Sequence, residues 1–277
     1  GLMAGFDKAA ILLGAVEGFT EFLPISSTGH LILTSHLLGL HGDAVHTFEI
    51  VIQAGALAAV AGLYRARVVS MWRGLLGHEP EGRALLLKLL RSVLPAAVVG
   101  LLLRRTIKDH LFSLWPVVAA LAAGGLVMVT LSRWMRDHPV SPKTISSMTS
   151  RDAWLIGVAQ CLSLWPGSSR AMVTIVAALL LGLPATMAAE YSFLLAMPTL
   201  GAATVCDAVR GGRLLVEDIG WLSLLCGFVV SAAVAAAAVR GLLRFLTRTG
   251  LAPFGWYRLG VAAIIWMVVG PTGGGEP

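Results

Sequence analysis

Charge is what this sequence is short of. Only 13% of its 277 residues are Asp, Glu, Lys or Arg, about half the share usual in soluble domains, which excludes an ordinary water-exposed surface. Cysteine is scarce as well: Cys161, Cys206 and Cys226 are odd in number, far apart and set in or beside apolar segments. A disulfide framework and a zinc site are thereby excluded, and the three read as small apolar fillers. No stretch fits G-x-x-x-x-G-K-[ST], so the Walker type of phosphate loop is absent. The net charge of +6 is spread between apolar runs rather than gathered in one stripe with aromatic interleaving, which excludes a nucleic-acid partner.

What remains is apolar. With 57% hydrophobic residues and a mean hydropathy of +0.81, the chain reads as an all-α integral membrane protein. Six runs, at 47–64, 84–103, 113–131, 187–205, 219–239 and 255–270, approach the ~20 residues that cross the hydrocarbon as helix. Lys8 ahead of an apolar run has the look of a signal peptide, but Glu17 and Glu21 interrupt that run and no small-residue cleavage site follows. The stretch is expected in the mature fold.

The chain repeats itself. LLGAVEGFTEFLPISS (12–27) resembles LIGVAQCLSLWPGSS (155–169), pairing Gly14 with Gly157, Glu17 with Gln160, and Pro24 and its serines with Pro166, Ser168 and Ser169. Downstream, Glu49 pairs with Glu190, and Pro116 and Pro253 each open the last span of a half. This predicts two repeats in a single membrane domain, 1–131 and 150–272, each a re-entrant helical hairpin followed by three spans. The hairpins are expected at 8–23 with 28–40 and at 153–165 with 170–183. Pro24 and Pro166 break them, and the Ser, Thr and Gly that follow suit helix N-caps. Such backbone survives at membrane depth only when buried in protein or lining a wet cavity, so the two breaks should face one another.

An odd number of spans per repeat makes the topology inverted. Segments 65–91, 132–152 and 240–254 carry thirteen Lys and Arg, against six in the N-terminal stretch, 104–112 and 206–218. The positive-inside rule puts the first set in the cytoplasm and both termini outside.

Four features carry chemistry. Glu17 and Glu21 lie one helical turn apart among Val16, Phe19, Phe22, Leu23 and Ile25, where two carboxylates need a cation, a shared proton or a wet cavity. PISSTGH (24–30) and PGSSR (166–170) put hydroxyls at two helix starts, where free N–H groups favour an anion. Arg170 stands alone between Arg151 and Arg210, and its fork matches phosphate oxygens; Thr174 shares its helix face. His30 follows three hydroxyl residues. Together these make an anion cradle (Arg170, Thr174, Ser169), hydroxyl nucleophile candidates (Ser26, Ser27, Thr28), a titratable group and a carboxylate pair, which are the parts of a phosphoryl-transfer site.

At these residues the chain resembles the undecaprenyl-pyrophosphate phosphatases of the bacitracin-resistance type. EGFTEFLPISSTGH matches that family's E-x-x-x-E motif with its S-S-T-G-H tail, and PGSSRAMVT is similar to its P-G-x-S-R-S-x-x-T. Ala171 departs from the usual serine, so no role is carried to it. The resemblance implies a multi-pass enzyme of the bacterial plasma membrane that converts the C55 isoprenoid pyrophosphate to the monophosphate carrier of cell-wall synthesis. It also implies a divalent cation, Mg²⁺ or Ca²⁺, which Glu17 and Glu21 would hold, and it leaves a homodimer open. The preferred mechanism is attack by Ser27 with Glu21, assisted by Glu17, as activator; Arg170, Thr174, Ser169, Ser26 and Thr28 would hold phosphate oxygens, and His30 would shuttle a proton. Water or His30 as nucleophile uses the same residues, and both stay open. A secondary transporter or lipid-carrier flippase is the rival, because broken helices meeting at the midplane also mark transporters. The external hairpin carries the nucleophile, so the wet cavity is expected to open outward.

Overall fold

The computed structural model describes residues 2–40, 43–111, 113–138 and 141–269, and every regular element among them is helical. In chain order these are α1 (Leu2–Thr20), α2 (Ser27–Leu37), α3 (Asp43–Leu63), α4 (Arg65–Leu75), α5 (Pro80–Leu111), α6 (Leu114–Asp137), α7 (Ser150–Gln160) continued by a 3₁₀ turn (Cys161–Leu164), α8 (Arg170–Leu180), α9 (Ala185–Asp218), α10 (Trp221–Thr249) and α11 (Ala252–Val269). Residue 1 and residues 270–272, the outer limits of the two expected repeats, lie outside the described residues.

Among the described residues, α5 over Pro80–Leu103, α6 and α10 are long and apolar enough to cross a membrane. The bent pair α3–α4 makes a fourth when taken as one span, its two parts meeting at 84° at a break of a few residues or fewer. The chain fits a membrane protein. The structure differs from the sequence reading at 65–83, left as a connection between the expected spans 47–64 and 84–103, which folds as α4 and the first residues of α5. Three arginines in RARVVSMWRGL hid an amphipathic helix whose Met71 and Gly74 are buried. Glycines let α4 and α5 touch: a side chain at Gly82 would strike the Ser70 carbonyl, and one at Gly74 the Arg83 backbone.

Helix pairing recurs across the two halves. The helix α1 lies against α10 and α7 against α5, while α3 meets α9 and α6 meets α11. Within lipid there is little hydrophobic drive to bring helices together, so close backbone approach and interhelical hydrogen bonds do much of that task. A Cβ at Gly14 would sit 2.7 Å from the Gly227 carbonyl, and one at Gly157 would sit 2.7 Å from that of Ser92. Gly125 and Gly255 pack reciprocally, each 2.8 Å from the other's carbonyl by the same measure. Fully buried Ser231 donates to the Ile52 carbonyl at 2.6 Å and Ser92 to that of Ala153 at 2.6 Å, bonds worth about 1 kcal/mol each.

Both hairpins end where the prolines stand. After α1 the chain turns through residues 21–25 and restarts at Ser27; after the 3₁₀ turn it passes Pro166 and restarts at Arg170. The largest buried cluster fills in around these turns, with Phe22, Ile25, Ala171, Ile175, Tyr191 and Phe193 among its members.

Candidate active site

The two restarts are built alike. Ser26 caps α2, its Oγ accepting from the Gly29 N–H at 3.3 Å, and Ser169 caps α8, accepting from the Met172 N–H at 3.2 Å. Their backbones also match, with φ 75° and ψ 99° at Ser26 and φ 74° and ψ 114° at Ser169. Among the described residues these are the two non-glycine positions with positive φ. Such conformations cost about 1–3 kcal/mol each and persist where the surroundings over-determine them. Ser27 and Arg170 thus occupy matching places, each the first residue of its helix, one residue out of step with the sequence pairing that set Ser27 against Ser169.

Across the junction, Glu21 links them. The Ser27 hydroxyl donates to Glu21 Oε2 at 2.5 Å, and Arg170 Nη2 approaches Glu21 Oε1 at 3.5 Å. The Glu21 and Arg170 side chains are 6% and 8% exposed, so this contact between hairpins is shielded from water. Arg170 Nη1 donates to the Ser192 carbonyl at 3.0 Å, while its Nε has no partner in the described structure. Glu17 lies a turn below Glu21 and is buried; its Oε2 is likewise unpartnered. Gln160, paired with it in the sequence comparison, is fully buried and satisfied, donating to the Ser92 carbonyl at 3.1 Å and accepting from Thr199 at 3.5 Å. One hairpin keeps a free carboxylate oxygen where the other spends the position on structure.

Other expected residues are placed differently. Thr174 is fully buried with its hydroxyl 2.7 Å from that of Ser192 and 2.8 Å from the Arg170 carbonyl, so it braces Arg170 from behind. Ser168 donates to the Leu162 and Trp165 carbonyls at 2.8 and 2.6 Å, closing its own turn. Ala171 is fully buried. Thr28 is exposed beside Ser27. His30 is engaged elsewhere than at Glu21: Nδ1 is 2.7 Å from the Ser26 carbonyl and Nε2 is 2.8 Å from the Tyr257 hydroxyl. A carbonyl only accepts, so Nδ1 carries the proton and neutral His30 accepts from Tyr257 through Nε2.

Sequence reasoning missed two residues of α11. Tyr257 holds His30, and Arg258, 0% exposed, reaches both broken turns. A signal was present: of the 21 Lys and Arg, Arg258 is one of three, with Lys88 and Arg91, that fall inside the expected spans. Ser192, which joins Thr174 to Arg170, gave no such signal.

A family model described as bacitracin resistance protein BacA matches residues 10–264 of the chain. The chain belongs to this family. Among its relatives, the undecaprenyl-diphosphatase of Sorangium cellulosum is 49% identical over 268 residues, covering 96% of this chain and 87% of that one. Undecaprenyl-diphosphatase 2 of Rhodospirillum rubrum is 46% identical, covering 93% of each chain. Undecaprenyl-diphosphatase 3 of Acinetobacter baylyi is 39% identical, covering 94% and 97%. Ala171 and the Glu21–Ser27–Arg170 junction thus sit in a membrane protein of the BacA family.

Proposed function

We propose that this protein hydrolyses undecaprenyl pyrophosphate to undecaprenyl phosphate and inorganic phosphate, recycling the lipid carrier of cell-wall synthesis. The observation that carries the chemistry is the 2.5 Å hydrogen bond from Ser27 to Glu21, held against Arg170 of the opposite hairpin. A hydroxyl bonded to a carboxylate, beside a guanidinium and two helix N-termini, is a nucleophile with its base and its anion cradle.

In this reading Ser27 Oγ attacks the terminal phosphorus and Glu21 takes its proton. The bond from that phosphorus to the bridging oxygen breaks, and the lipid monophosphate leaves. Glu21 passes that proton to the departing monophosphate. It then deprotonates a water that attacks the phosphoserine phosphorus, the bond from phosphorus to Oγ breaks, inorganic phosphate leaves, and Glu21 returns the proton to Ser27 Oγ. Arg170 and the N–H groups after Ser26 and Ser169 stabilise the equatorial oxygens, with Thr28 at the mouth. Thr174 acts through Ser192 on Arg170. The tautomer argument favours Ser27 over His30 as nucleophile, since both ring nitrogens are already engaged.

A divalent cation fits the residues present. Glu17 offers an unpartnered buried carboxylate oxygen beside Glu21, although no group of three or more His, Cys, Asp or Glu is arranged to hold a metal among the described residues. Two carboxylates completed by substrate phosphate oxygens suit Mg²⁺ better than an all-protein cage. When bound, the ion supplies charge neutralisation at the pyrophosphate.

The architecture proposed around this site is a pair of inverted repeats, 1–131 and 150–272, in the bacterial plasma membrane. The matched caps, the exchange-related helix pairing and the matching places of Ser27 and Arg170 support it. The charge asymmetry supports outward-facing hairpin and termini.

Purified protein in detergent, where no gradient exists, should release phosphate from the lipid pyrophosphate, and Ser27→Ala should abolish release. Acid-quenched wild type should carry phosphate on Ser27. A protein that moves the lipid between leaflets of vesicles yet releases no phosphate would establish the transporter reading instead.

A further inference from the structure

We propose that Arg258 is a positioning residue for the phosphate site: a buried cation that clamps the two broken-helix turns in register. The proposal rests on the hydrolase reading for its kinetic consequences and on geometry for everything else.

Arg258 leads the fully buried side chains by volume. Taking a guanidinium out of water costs several kcal/mol unless its donors are met. Here all five N–H groups are met, and each by a backbone carbonyl: Nε donates to Leu121 at 3.2 Å, Nη1 to Pro24 at 3.3 Å and Ser168 at 2.9 Å, and Nη2 to Ala120 at 3.0 Å and Gly167 at 2.9 Å. No acidic side chain pairs with it among the described residues.

The choice of carbonyls gives the role. Pro24 lies two residues before the cap Ser26, and Gly167 and Ser168 lie directly before the cap Ser169. Broken helices leave carbonyls without helical partners at a depth where water does not reach. One side chain satisfies three of them, one in the first turn and two in the second, and ties both to α6. That shared clamp helps explain why Ser26 and Ser169 keep their matching positive φ, because strain of this kind needs an over-determined setting. It also fixes Ser27 relative to Arg170. Carbonyl oxygens solvate the cation without neutralising it, so its charge reinforces the two helix N-termini that face the phosphate.

The helix α6 is shaped for this residue. A Cβ at Gly124 would collide with Arg258 Nη2 and would lie 2.7 Å from Cζ. Gly124→Ala therefore displaces the guanidinium while leaving it in the chain, an independent disturbance of the same contact.

The test compares Arg258→Lys, Gly124→Ala and the double variant with wild type, each purified in detergent. Size-exclusion profile and Tm report folding; kcat and KM for the lipid pyrophosphate report function per folded molecule. A lysine has three donors on one atom and cannot span five carbonyls. Positioning predicts that both single variants fold, that kcat falls about 10²-fold with a smaller change in KM, and that the double variant is no worse than Arg258→Lys alone. Folded Arg258→Lys with kcat within about threefold of wild type overturns the proposal. So does loss of folded protein in both variants when the surviving fraction keeps its full kcat, because the arginine is then scaffold only. If wild type releases no phosphate, the hydrolase reading has failed and the thermal shift with inorganic pyrophosphate decides the clamp: stabilisation of wild type but not of Gly124→Ala supports it, and equal stabilisation of both overturns it.

Discussion

His30 Nε2 lies 2.8 Å from the hydroxyl of Tyr257, and the two rings stack with centroids 5.7 Å apart. Since Nδ1 donates to the Ser26 carbonyl, Tyr257 blocks the one nitrogen of neutral His30 that could attack phosphorus. Tyr257→Phe unblocks it. If His30 orients the cap of α2, kcat should fall by about 3–10-fold, the equivalent of one hydrogen bond of ~1 kcal/mol. A rise in kcat, with phosphate trapped on histidine, would move the nucleophile from Ser27 to His30.

The carboxylates should act unequally. Glu21 accepts from Ser27 and neighbours Arg170, whereas Glu17 is a turn away with an unpartnered oxygen. Glu21→Gln should lower kcat by about 10² or more, the usual scale for a general base. Glu17→Gln should cost less at saturating divalent cation, with its larger effect on the cation concentration needed for half-maximal rate. Equal kcat losses at every cation concentration would remove the division of labour between them.

Much of this was legible in the sequence, and the reason is chemical. Prolines, hydroxyls and a lone arginine in hydrocarbon have few explanations, so Glu21, Ser27, Arg170 and both breaks could be read from residue type and spacing. Depth within a layer could not. Thr174 shares the Arg170 face of α8, but sequence spacing does not say whether that position meets solvent or Ser192, and the structure buries it completely. Arg258 was missed because it follows a basic segment and reads as an interfacial residue; only the fold carries it into the centre. The helix α4 was hidden by its own arginines, since one apolar face on a short helix gives little net hydropathy.

The strained cap separates stability from rate. At Ser26, glycine relieves a positive φ but removes the hydroxyl that accepts from Gly29, whereas alanine removes the hydroxyl and keeps the strain. Loss of a cap costs about 1 kcal/mol on alanine substitution and only a few tenths on glycine substitution, so Ser26→Gly should be the more stable variant by Tm. Activity should order the other way or fall equally, because a freed backbone no longer aims Ser27 at Glu21. If Ser26→Gly keeps wild-type kcat, the backbone conformation at this cap plays no part in placing the nucleophile.

The side from which phosphate leaves follows from counting charges. In the proposed topology, thirteen Lys and Arg in 65–91, 132–152 and 240–254 against six elsewhere between the spans and in the N-terminal stretch would put α4 and the α6–α7 connection in the cytoplasm. The Glu21 hairpin would then enter from outside and the Arg170 hairpin from inside. Their contact at Glu21 and Arg170 agrees with a meeting near mid-depth. Hydrolysis needs water at Ser27, whose neighbour Thr28 is exposed, so the wet mouth belongs to the first hairpin and phosphate should leave on the outer face. Single cysteines in a background lacking Cys161, Cys206 and Cys226 test this in intact cells. A cysteine at Asp43 should react with an impermeant thiol reagent. A cysteine at Ser141 should react only after permeabilisation; Ser141 is chosen because neighbouring Lys143 is held by Asp152 at 3.0 Å and its loss would disturb the start of α7. Labelling at 141 but not at 43 in intact cells would invert the protein and turn the mouth toward the cytoplasm, where the released phosphate would appear instead.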